Sequence, residues 1–437
     1  MATRSTPPAT SSAPSYLVPF IIVTALFGIF GFLTNLNSNL SKELEDIFAL
    51  NHAWSNLVTS AWFFAYLVFS VPSAKLIEKV GYKRTMVISL FIMVAGALLF
   101  IPAAGMVSFP VFLTASFVLA TGVCALQTSA NPYVSILGPE QSAPARLTLA
   151  QAFNSLGSAM APLIVGTFIL TDRTKVTDKA VIAHTVQGPY IVIAIALFVL
   201  GFAVMFMHLP SITSTRSFRP ATDGDPLLGR SIWSYKHTVL GMVGIFFYVG
   251  VEIALAANAI QFFFSQGVSI SSLGFIGTLA SQIHGPLSTT SIAALLASFY
   301  MFSIMIGRFV GTVVMKVVRA NVLLIGLGIF GVALLVVAMF TTGTLAIWCL
   351  VLCGLANSIM YPTIFALGIA ELGPMTSKGS GVITIGNVGG AVIPPLFGYL
   401  AVKLGGYQYA FVLPIICYLF VAYYGLSGYK PTRSVAA

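Results

Sequence analysis

Charged side chains are scarce in this sequence. Only 7% of its 437 residues are Asp, Glu, Lys or Arg, whereas 58% are hydrophobic, and the mean hydropathy is +0.97. A soluble domain carries roughly a quarter charged residues, so the chain lacks the polar surface that water requires. This deficit excludes an ordinary soluble enzyme or binding domain and indicates a polytopic, all-α membrane protein.

Motifs of several other function classes are also missing. The sequence has no GxxxxGK[ST] loop, which a nucleotide-driven pump needs to hold phosphates. It has no metal-ligand spacing and no cluster of nucleophile and base, which a membrane enzyme needs. The four cysteines fall within apolar runs, so no extracellular disulfide framework is expected. We therefore expect no enzymatic activity, no cofactor and no bound metal.

Twelve apolar runs are each long enough to cross a bilayer, which takes ~20 mostly apolar residues. They lie near residues 17–36, 54–74, 85–106, 109–137, 147–170, 189–208, 239–264, 291–315, 321–341, 344–368, 380–402 and 407–427. With the N-terminus in the cytoplasm, sixteen of the 21 Lys and Arg residues, Arg308 among them, fall on the cytoplasmic side. This bias predicts that both termini are cytoplasmic. The same bias accounts for the net charge of +10. The basic residues face anionic membrane lipids, so the charge does not indicate a nucleic-acid partner.

The chain divides into two halves that repeat each other. A polar segment, residues 209–237, separates six runs from six and predicts a cytoplasmic linker between bundles 16–208 and 238–428, with tails 1–15 (disordered) and 429–437. The element Asn131-Pro-Tyr recurs as Tyr361-Pro-Thr at an offset of 230, and Asn154-Ser-Leu-Gly recurs as Asn387-Val-Gly-Gly at an offset of 233. Two matches at nearly one offset indicate duplication. Two pseudo-symmetric six-helix bundles are a transporter architecture.

The junction after the second run predicts a conformational gate. Residues 74–84, AKLIEKVGYKR, resemble the signature of the major facilitator superfamily at this junction, although Ala74, Glu78 and Lys79 replace its glycine, aspartate and arginine. The acid and the bases can hold neighbouring helix ends together, and the glycine permits a tight turn. The gate candidates are Glu78, Lys79, Gly81, Lys83 and Arg84, with Arg308 in a degenerate copy, Gly307-Arg308-Phe-Val-Gly311.

Neutral amides recur within the apolar runs. An unpaired amide in hydrocarbon costs several kcal/mol, so these side chains face protein or water rather than lipid. One interpretation is that they only join helices. The other is that they bind a polyhydroxyl ligand, because amides both donate to and accept from hydroxyls while aromatic rings stack on sugar faces. The substrate-binding candidates are Asn35, Asn37, Gln127, Asn131, Gln151, Asn154, Asn258, Gln261, Asn357, Tyr361 and Asn387.

A longer motif points to one family. Residues 127–140, QTSANPYVSILGPE, and residues 146–157, RLTLAQAFNSLG, resemble the fucose–galactose–glucose:proton symporter family of the major facilitator superfamily. The resemblance implies the major facilitator fold, a monomer, and a multi-pass location in the bacterial inner membrane. It also implies import of a neutral sugar (fucose, glucose, galactose or N-acetylglucosamine class) by alternating access, with protons as the coupling partner. Export of another small molecule remains the rival interpretation within the superfamily.

Two carboxylates of the family pattern are missing from this sequence. The resemblance places an aspartate at Ser38 and a glutamate at Gln127, and neither residue present here takes up a proton near neutral pH. Glu252 is the one carboxylate deep in a run, and an acid inside the membrane is a functional candidate by default. We find no Lys or Arg at a comparable depth to neutralise it. Glu252 is therefore the proton-coupling candidate; if it only hydrogen-bonds the sugar, the protein is an uncoupled facilitator.

Overall fold

The computed structural model is built of helices joined by short turns. It describes residues 16–47, 52–106, 108–168, 179–207, 209, 230–274, 277 and 287–431. The side chains of residues 38–47, 52–58, 162–168 and 179–186 lie outside this description. The predicted tail 1–15 and most of the predicted linker also fall outside it. Helix is what the sequence requires, since in a bilayer only helices and closed barrels satisfy every backbone hydrogen bond internally.

In the first half of the chain, the described parts of residues 16–207 form five α-helices. They are α1 (Leu17–Ile47), α2 (His52–Gly105), α3 (Phe109–Ile136), α4 (Ala143–Phe168) and α5 (Lys179–Phe206). Helix α2 is broken at Gly81, whose φ of 83° and ψ of 168° are not helical. Only glycine adopts this region readily, so Gly81 makes the tight turn that the gate signature predicts.

The second half of the chain, residues 230–431, contains shorter and more interrupted helices. They are α6 (Lys236–Ser265), α7 (Thr289–Val314), α8 (Ala320–Phe340), α9 (Thr344–Asn357), α10 (Met360–Gly368), α11 (Thr376–Ile385), α12 (Gly389–Lys403), α13 (Tyr407–Ala410) and α14 (Val412–Tyr423). The 3₁₀ turn Gly386–Val388 separates α11 from α12. The run predicted at 380–402 therefore contains a 3₁₀ turn, and the run at 344–368 contains a short turn between α9 and α10, but each stays one helical segment.

The prediction of an all-α polytopic chain is confirmed. Within the described residues, ten helical segments are long and apolar enough to cross a bilayer. One of the ten, Thr59–Gly105, has 47 residues and contains the break at Gly81. Helix α4 is not among the ten, so the predicted count of twelve stays a prediction.

Small residues let helices of each half pack closely. In the first half, a Cβ added to Gly157 of α4 would collide with the carbonyl oxygen of Gly28 in α1. In the second half, a Cβ added to Gly389 would collide with the carbonyl oxygen of Phe246 in α6. In a bilayer the hydrophobic effect does not drive helices together, because lipid is as apolar as their side chains. Helices associate there by close backbone packing at small residues. The two halves thus use the same device at neighbouring positions of the sequence repeat, whose offset of 233 residues pairs Gly157 with Gly390.

The two halves meet mainly at one end of the molecule. Among the described residues, α11 packs on α2 and α3, while α4 packs on α7 and α10. These contacts lie near the break of α2, the start of α4, the end of α7 and the start of α11. We call this region the closed end. It brings the predicted gate and several predicted amides into one interface.

Candidate functional site

The centre of the interface is a buried hydrogen bond between the halves. The Asn131 side-chain amide of α3 donates to the Tyr361 hydroxyl of α10 at 3.3 Å. The Asn131 amide oxygen accepts from the Gln151 side chain of α4 at 3.4 Å. Asn131 is fully buried, and the Tyr361 ring packs near the Tyr248 ring at 6.1 Å between centroids. The two members of the sequence repeat therefore touch each other across the interface.

Arg308 is the second bridge between the halves, and its placement corrects the sequence prediction. We expected it at a cytoplasmic loop and expected no basic side chain near Glu252. Instead Arg308 lies inside α7 with 8% exposure, and its Nη2 is 4.0 Å from the Glu252 carboxylate. Its Nη1 donates to the Gln151 backbone carbonyl at 3.1 Å and to the Ser155 hydroxyl, both on α4. Its Nε donates to the Ser358 carbonyl at 3.1 Å.

These contacts satisfy a buried charge almost entirely with neutral oxygen atoms. A buried guanidinium without acceptors is costly, because each unpaired N–H loses its hydration without compensation. Two of the three acceptors belong to the other half of the chain. The full satisfaction of Arg308 therefore depends on contact between the halves.

The Glu252 carboxyl belongs to α6 and is 22% exposed. The Tyr300 hydroxyl of α7 donates to the Glu252 backbone carbonyl at 3.4 Å and accepts from the Asn357 amide at 2.8 Å. The Tyr418 hydroxyl of α14 donates to the Asn357 amide oxygen at 2.9 Å. Both functional atoms of Asn357 are thus occupied within the second half. This geometry favours the helix-joining interpretation for Asn357.

The predicted gate lies at the same closed end, between α2 and α11. The Glu78 carboxylate is 3.8 Å from the Lys378 ammonium and accepts from the Ser377 hydroxyl at 3.3 Å. Next to this pair, the buried Ser380 hydroxyl donates to the Thr128 carbonyl of α3 at 2.6 Å. Glu78 therefore contacts the other half, as a gate residue should. The other predicted gate residues of this junction, Lys79, Gly81, Lys83 and Arg84, line or flank the break of α2.

The remaining amide candidates are dispersed. Asn154 donates to the Phe27 carbonyl of α1 at 3.0 Å, which joins two helices of one half. Asn258 donates to the Ala254 carbonyl of its own helix. Asn387 donates to the Thr384 carbonyl at 2.9 Å, and its side chain also lies beside the Tyr361 hydroxyl of the central bridge. Gln261 is exposed. Asn35 lies in α1 and is half-buried. The structure does not gather these five side chains into one cluster.

Several buried polar atoms lack a hydrogen-bond partner within the described part of the chain. Among them are the amide oxygens of Asn37 and Gln127 and the hydroxyl of Tyr248. Buried polar groups are normally paired, so these atoms are candidates for contact with a ligand. Asn37 and Gln127 were predicted, whereas Tyr248 was noted only as an aromatic neighbour. The side chain of Ser38 lies outside the described residues.

Sequence reasoning missed Ser155 and Ser380, which join the two halves, and Tyr300 and Tyr418, which hold Asn357 within the second half. Ser155 follows Asn154 in the repeated motif, which was a usable signal. The other three are ordinary residues of apolar runs, and only the packing of the helices reveals their partners.

A helical membrane protein whose halves meet at one end, around buried polar bridges, has the architecture of a transporter. The family model of the Major Facilitator Superfamily matches residues 20–385. The chain belongs to this superfamily, whose members are transporters rather than enzymes. It is a multi-pass membrane protein, as its composition predicted.

Relatives of known name cover nearly the whole chain. A glucose/galactose transporter of Brucella abortus is 39% identical over 96% of this chain and 96% of the relative. The L-fucose-proton symporter of Escherichia coli is 29% identical over 92% of this chain and 91% of the relative. Among solved structures, the superfamily transporter FucP in the outward conformation is 28% identical, with a TM-score of 0.82, over 95% of this chain and 99% of that chain. The predicted resemblance to this family is confirmed.

Proposed function

We propose that the protein imports a neutral hexose or related sugar across the bacterial inner membrane by alternating access, in symport with protons. The observation that carries the proposal is the polar interface around Asn131, Tyr361 and Arg308, in a chain 39% identical to a glucose/galactose transporter. Neutral amide and phenol groups suit a substrate with hydroxyls, which donate and accept in the same way.

The proposed topology has twelve spans in two six-helix bundles with cytoplasmic termini. The 47-residue segment Thr59–Gly105 counts as two spans joined at Gly81, and α4 counts as a further one. The positive-inside bias then places the closed end, with Glu78 and Lys378, at the cytoplasm. The halves would meet at the cytoplasmic side and expose the site to the outside, in keeping with the similar structure in its outward conformation.

The sugar would bind between the halves, on the extracellular side of the Asn131–Tyr361 bridge. The 3₁₀ turn between α11 and α12 lies beside this level, and a 3₁₀ stretch within a helix often marks a functional position. Sugar hydroxyls would supply the partners that the amide oxygens of Asn37 and Gln127 lack. Loss of one such contact weakens binding by ~1–3 kcal/mol.

Arg308 gives Glu252 a route to proton coupling. With the closed end intact, the guanidinium is satisfied by Gln151, Ser155 and Ser358, and the Glu252 carboxylate at 4.0 Å lies beyond hydrogen-bond distance. Opening of the cytoplasmic end would withdraw α4 and its two acceptors. The freed N–H groups would then turn to the carboxylate, because charge-assisted pairs are the strong alternative.

The consequence is a directional exchange of the proton. Glu252 would carry a proton while the site faces outward, which removes the cost of an incompletely paired carboxylate in the membrane. Glu252 would lose that proton when the Arg308 guanidinium turns to the Glu252 carboxylate as a hydrogen-bond acceptor. The proton would then leave on the cytoplasmic side. Uncoupled facilitation is the second candidate function, favoured by Ser38 and Gln127 at the positions of the family carboxylates.

The test is sugar accumulation in proteoliposomes with and without an inward proton gradient. Labelled glucose, galactose and L-fucose would be offered to the wild type, to Glu252→Gln and to the control Glu371→Gln, whose carboxyl is exposed outside the helices. We expect accumulation by the wild type and the control, and mere equilibration by Glu252→Gln. Equilibration without accumulation by the wild type would make the protein a facilitator and would overturn the coupling mechanism.

A further inference from the structure

A cavity at the closed end lies beside the Glu78–Lys378 pair and apart from the proposed sugar site. It has a volume of about 470 Å³, within the range of small-molecule sites. Its walls come from both halves of the chain. They are formed by Val71, Ala74, Lys75, Glu78 and Lys79 of α2, by Ile232 and Trp233 before α6, and by Lys378 and Val382 of α11.

The charge of the cavity is unbalanced. Three lysines face one carboxylate, and that carboxylate, Glu78, already pairs with Lys378 at 3.8 Å. Lys75 and Lys79 are four residues apart in α2 and so lie on one helix face. Within the described part of the chain, neither has an ion-pair or hydrogen-bond partner. The cavity therefore offers two uncommitted ammonium groups to an anion.

The remaining walls are apolar and include an exposed aromatic ring. Trp233 is 54% exposed and lies just before α6, at a helix end where indole rings commonly sit at the membrane–water interface. Val71, Val382 and Ile232 supply apolar surface around it. An anion that fits this lining carries a ring or an apolar body beside its charged group, because such a body can stack on the indole.

We infer that this cavity binds a phosphate-bearing ligand, with the phosphate on Lys75 and Lys79 and the ligand's body on Trp233. A phosphate supplies several strong acceptor oxygens to lysine donors. Because α2 and α11 belong to different halves, the bound ligand would bridge them. It would stabilise the closed end and slow its opening, as any ligand stabilises the state that it binds better.

The first arm of the test measures binding alone. The protein would be placed in nanodiscs of phosphatidylcholine and titrated with glucose 6-phosphate, which carries both a ring and a phosphate monoester, by calorimetry. Glucose and inorganic phosphate serve as comparisons. We expect saturable binding of glucose 6-phosphate that weakens at least about tenfold in Lys75→Gln/Lys79→Gln. The matched control is Lys316→Gln/Lys430→Gln, which removes two exposed lysines elsewhere, and it should bind like the wild type.

The second arm measures closure of the interface. The reporter is Ser380→Cys, because Ser380 is fully buried between α11 and α3 and becomes reactive only when the halves part. We expect glucose 6-phosphate to slow labelling of this cysteine by a soluble maleimide, and the Lys75→Gln/Lys79→Gln change to abolish the slowing.

A third arm separates the two sources of phosphate. Nanodiscs containing phosphatidylglycerol present a phosphodiester from the membrane instead of from solution. If the labelling rate of the Ser380→Cys reporter falls only with phosphatidylglycerol, and only when Lys75 and Lys79 are present, that result would support the site with a lipid as its ligand. No binding and no slowing by either probe, or equal effects in the double variant, overturns the inference. None of these measurements requires transport, so failure of the proposed function would leave the result interpretable.

Discussion

The substitution Ser155→Ala should loosen the closed end of the protein. Arg308 is 8% exposed, and its Nη1 donates across the interface to the Ser155 hydroxyl and to the Gln151 carbonyl. Removing the hydroxyl deprives a buried, charged donor of one acceptor while the rest of the interface stays in place. Leaving such a group unsatisfied costs about 1–3 kcal/mol. In the open conformation of the proposed cycle α4 would have withdrawn, so the cost would fall on the closed conformation alone.

That cost translates into a shift of the conformational equilibrium. A change of 1–3 kcal/mol corresponds to about a 5–150-fold change in the ratio of the two conformations. The Ser380→Cys reporter measures this ratio, because its labelling rate follows the open fraction. The four native cysteines are buried, with exposures of 5% or less, so their background labelling is small and is measured in the chain without the reporter.

The matched control is Ser158→Ala, three residues further along α4. The Ser158 hydroxyl donates to the Gly31 carbonyl at 3.0 Å, a contact within the first half that does not change when the halves part. We therefore expect faster labelling in Ser155→Ala and no change in Ser158→Ala. Equal labelling rates in the two variants would refute the assignment of Arg308 as a bridge between the halves.

Two further predictions concern the same helices. Lys378→Gln should raise the labelling rate of the Ser380→Cys reporter by less than about fivefold. The reason is that the Glu78–Lys378 pair is 35–41% exposed, and such pairs contribute no more than about 1 kcal/mol. A larger rise than in Ser155→Ala would contradict the conclusion that the Arg308 contacts are the stronger bridge. Gly157→Ala should destabilise the protein by about 1–3 kcal/mol, because its Cβ would collide with the Gly28 carbonyl oxygen. The measurement is the midpoint of thermal unfolding in detergent, compared with Gly326→Ala, where nothing lies within 4 Å of the added Cβ; equal midpoints would contradict the close packing of α1 and α4.

Much of the architecture was readable from the sequence because the bilayer allows so few solutions. Long apolar runs have to form helices, and they do. The glycine of the gate signature predicted a sharp break, and Gly81 makes it with a positive φ. The repeat at an offset of 230 residues carried more information than expected, since its two members, Asn131 and Tyr361, are hydrogen-bonded to each other. A residue close to a pseudo-symmetry axis lies next to the equivalent residue of the other half. A sequence repeat can therefore identify pairs of residues that contact each other.

The site itself was only partly readable, because one residue type serves two purposes. Asn131 and Asn357 are both amides near the middle of apolar runs. Asn131 bridges the halves, whereas Asn357 is held by Tyr300 and Tyr418 within one half. Both amides need hydrogen-bond partners because they lie within the membrane. Composition and spacing therefore cannot tell an amide that bridges the halves from one that joins helices of a single half. Only the packing of neighbouring helices decides which amide can meet a substrate.

The misplacement of Arg308 has a similar cause. It stands seven residues before the predicted end of its run, where a long side chain can reach either the membrane surface or the protein interior. Its resemblance to a loop signature favoured the surface. The deciding fact is that α4 presents the Gln151 carbonyl and the Ser155 hydroxyl opposite α7, and the sequence contains no sign of that.

The two contacts that hold the closed end together differ in a way that bears on coupling. Between α2 and α11, the Glu78–Lys378 pair is about a third exposed, so water screens it and replaces it at little cost when the halves part. Between α4 and α7, Arg308 is buried, and its charge needs a new acceptor as soon as α4 leaves. The described acceptor with a negative charge in reach is the Glu252 carboxylate at 4.0 Å. In the proposed cycle, the buried contact would therefore tie opening of the interface to the charge of Glu252, whereas the exposed contact would only adjust how readily the interface opens.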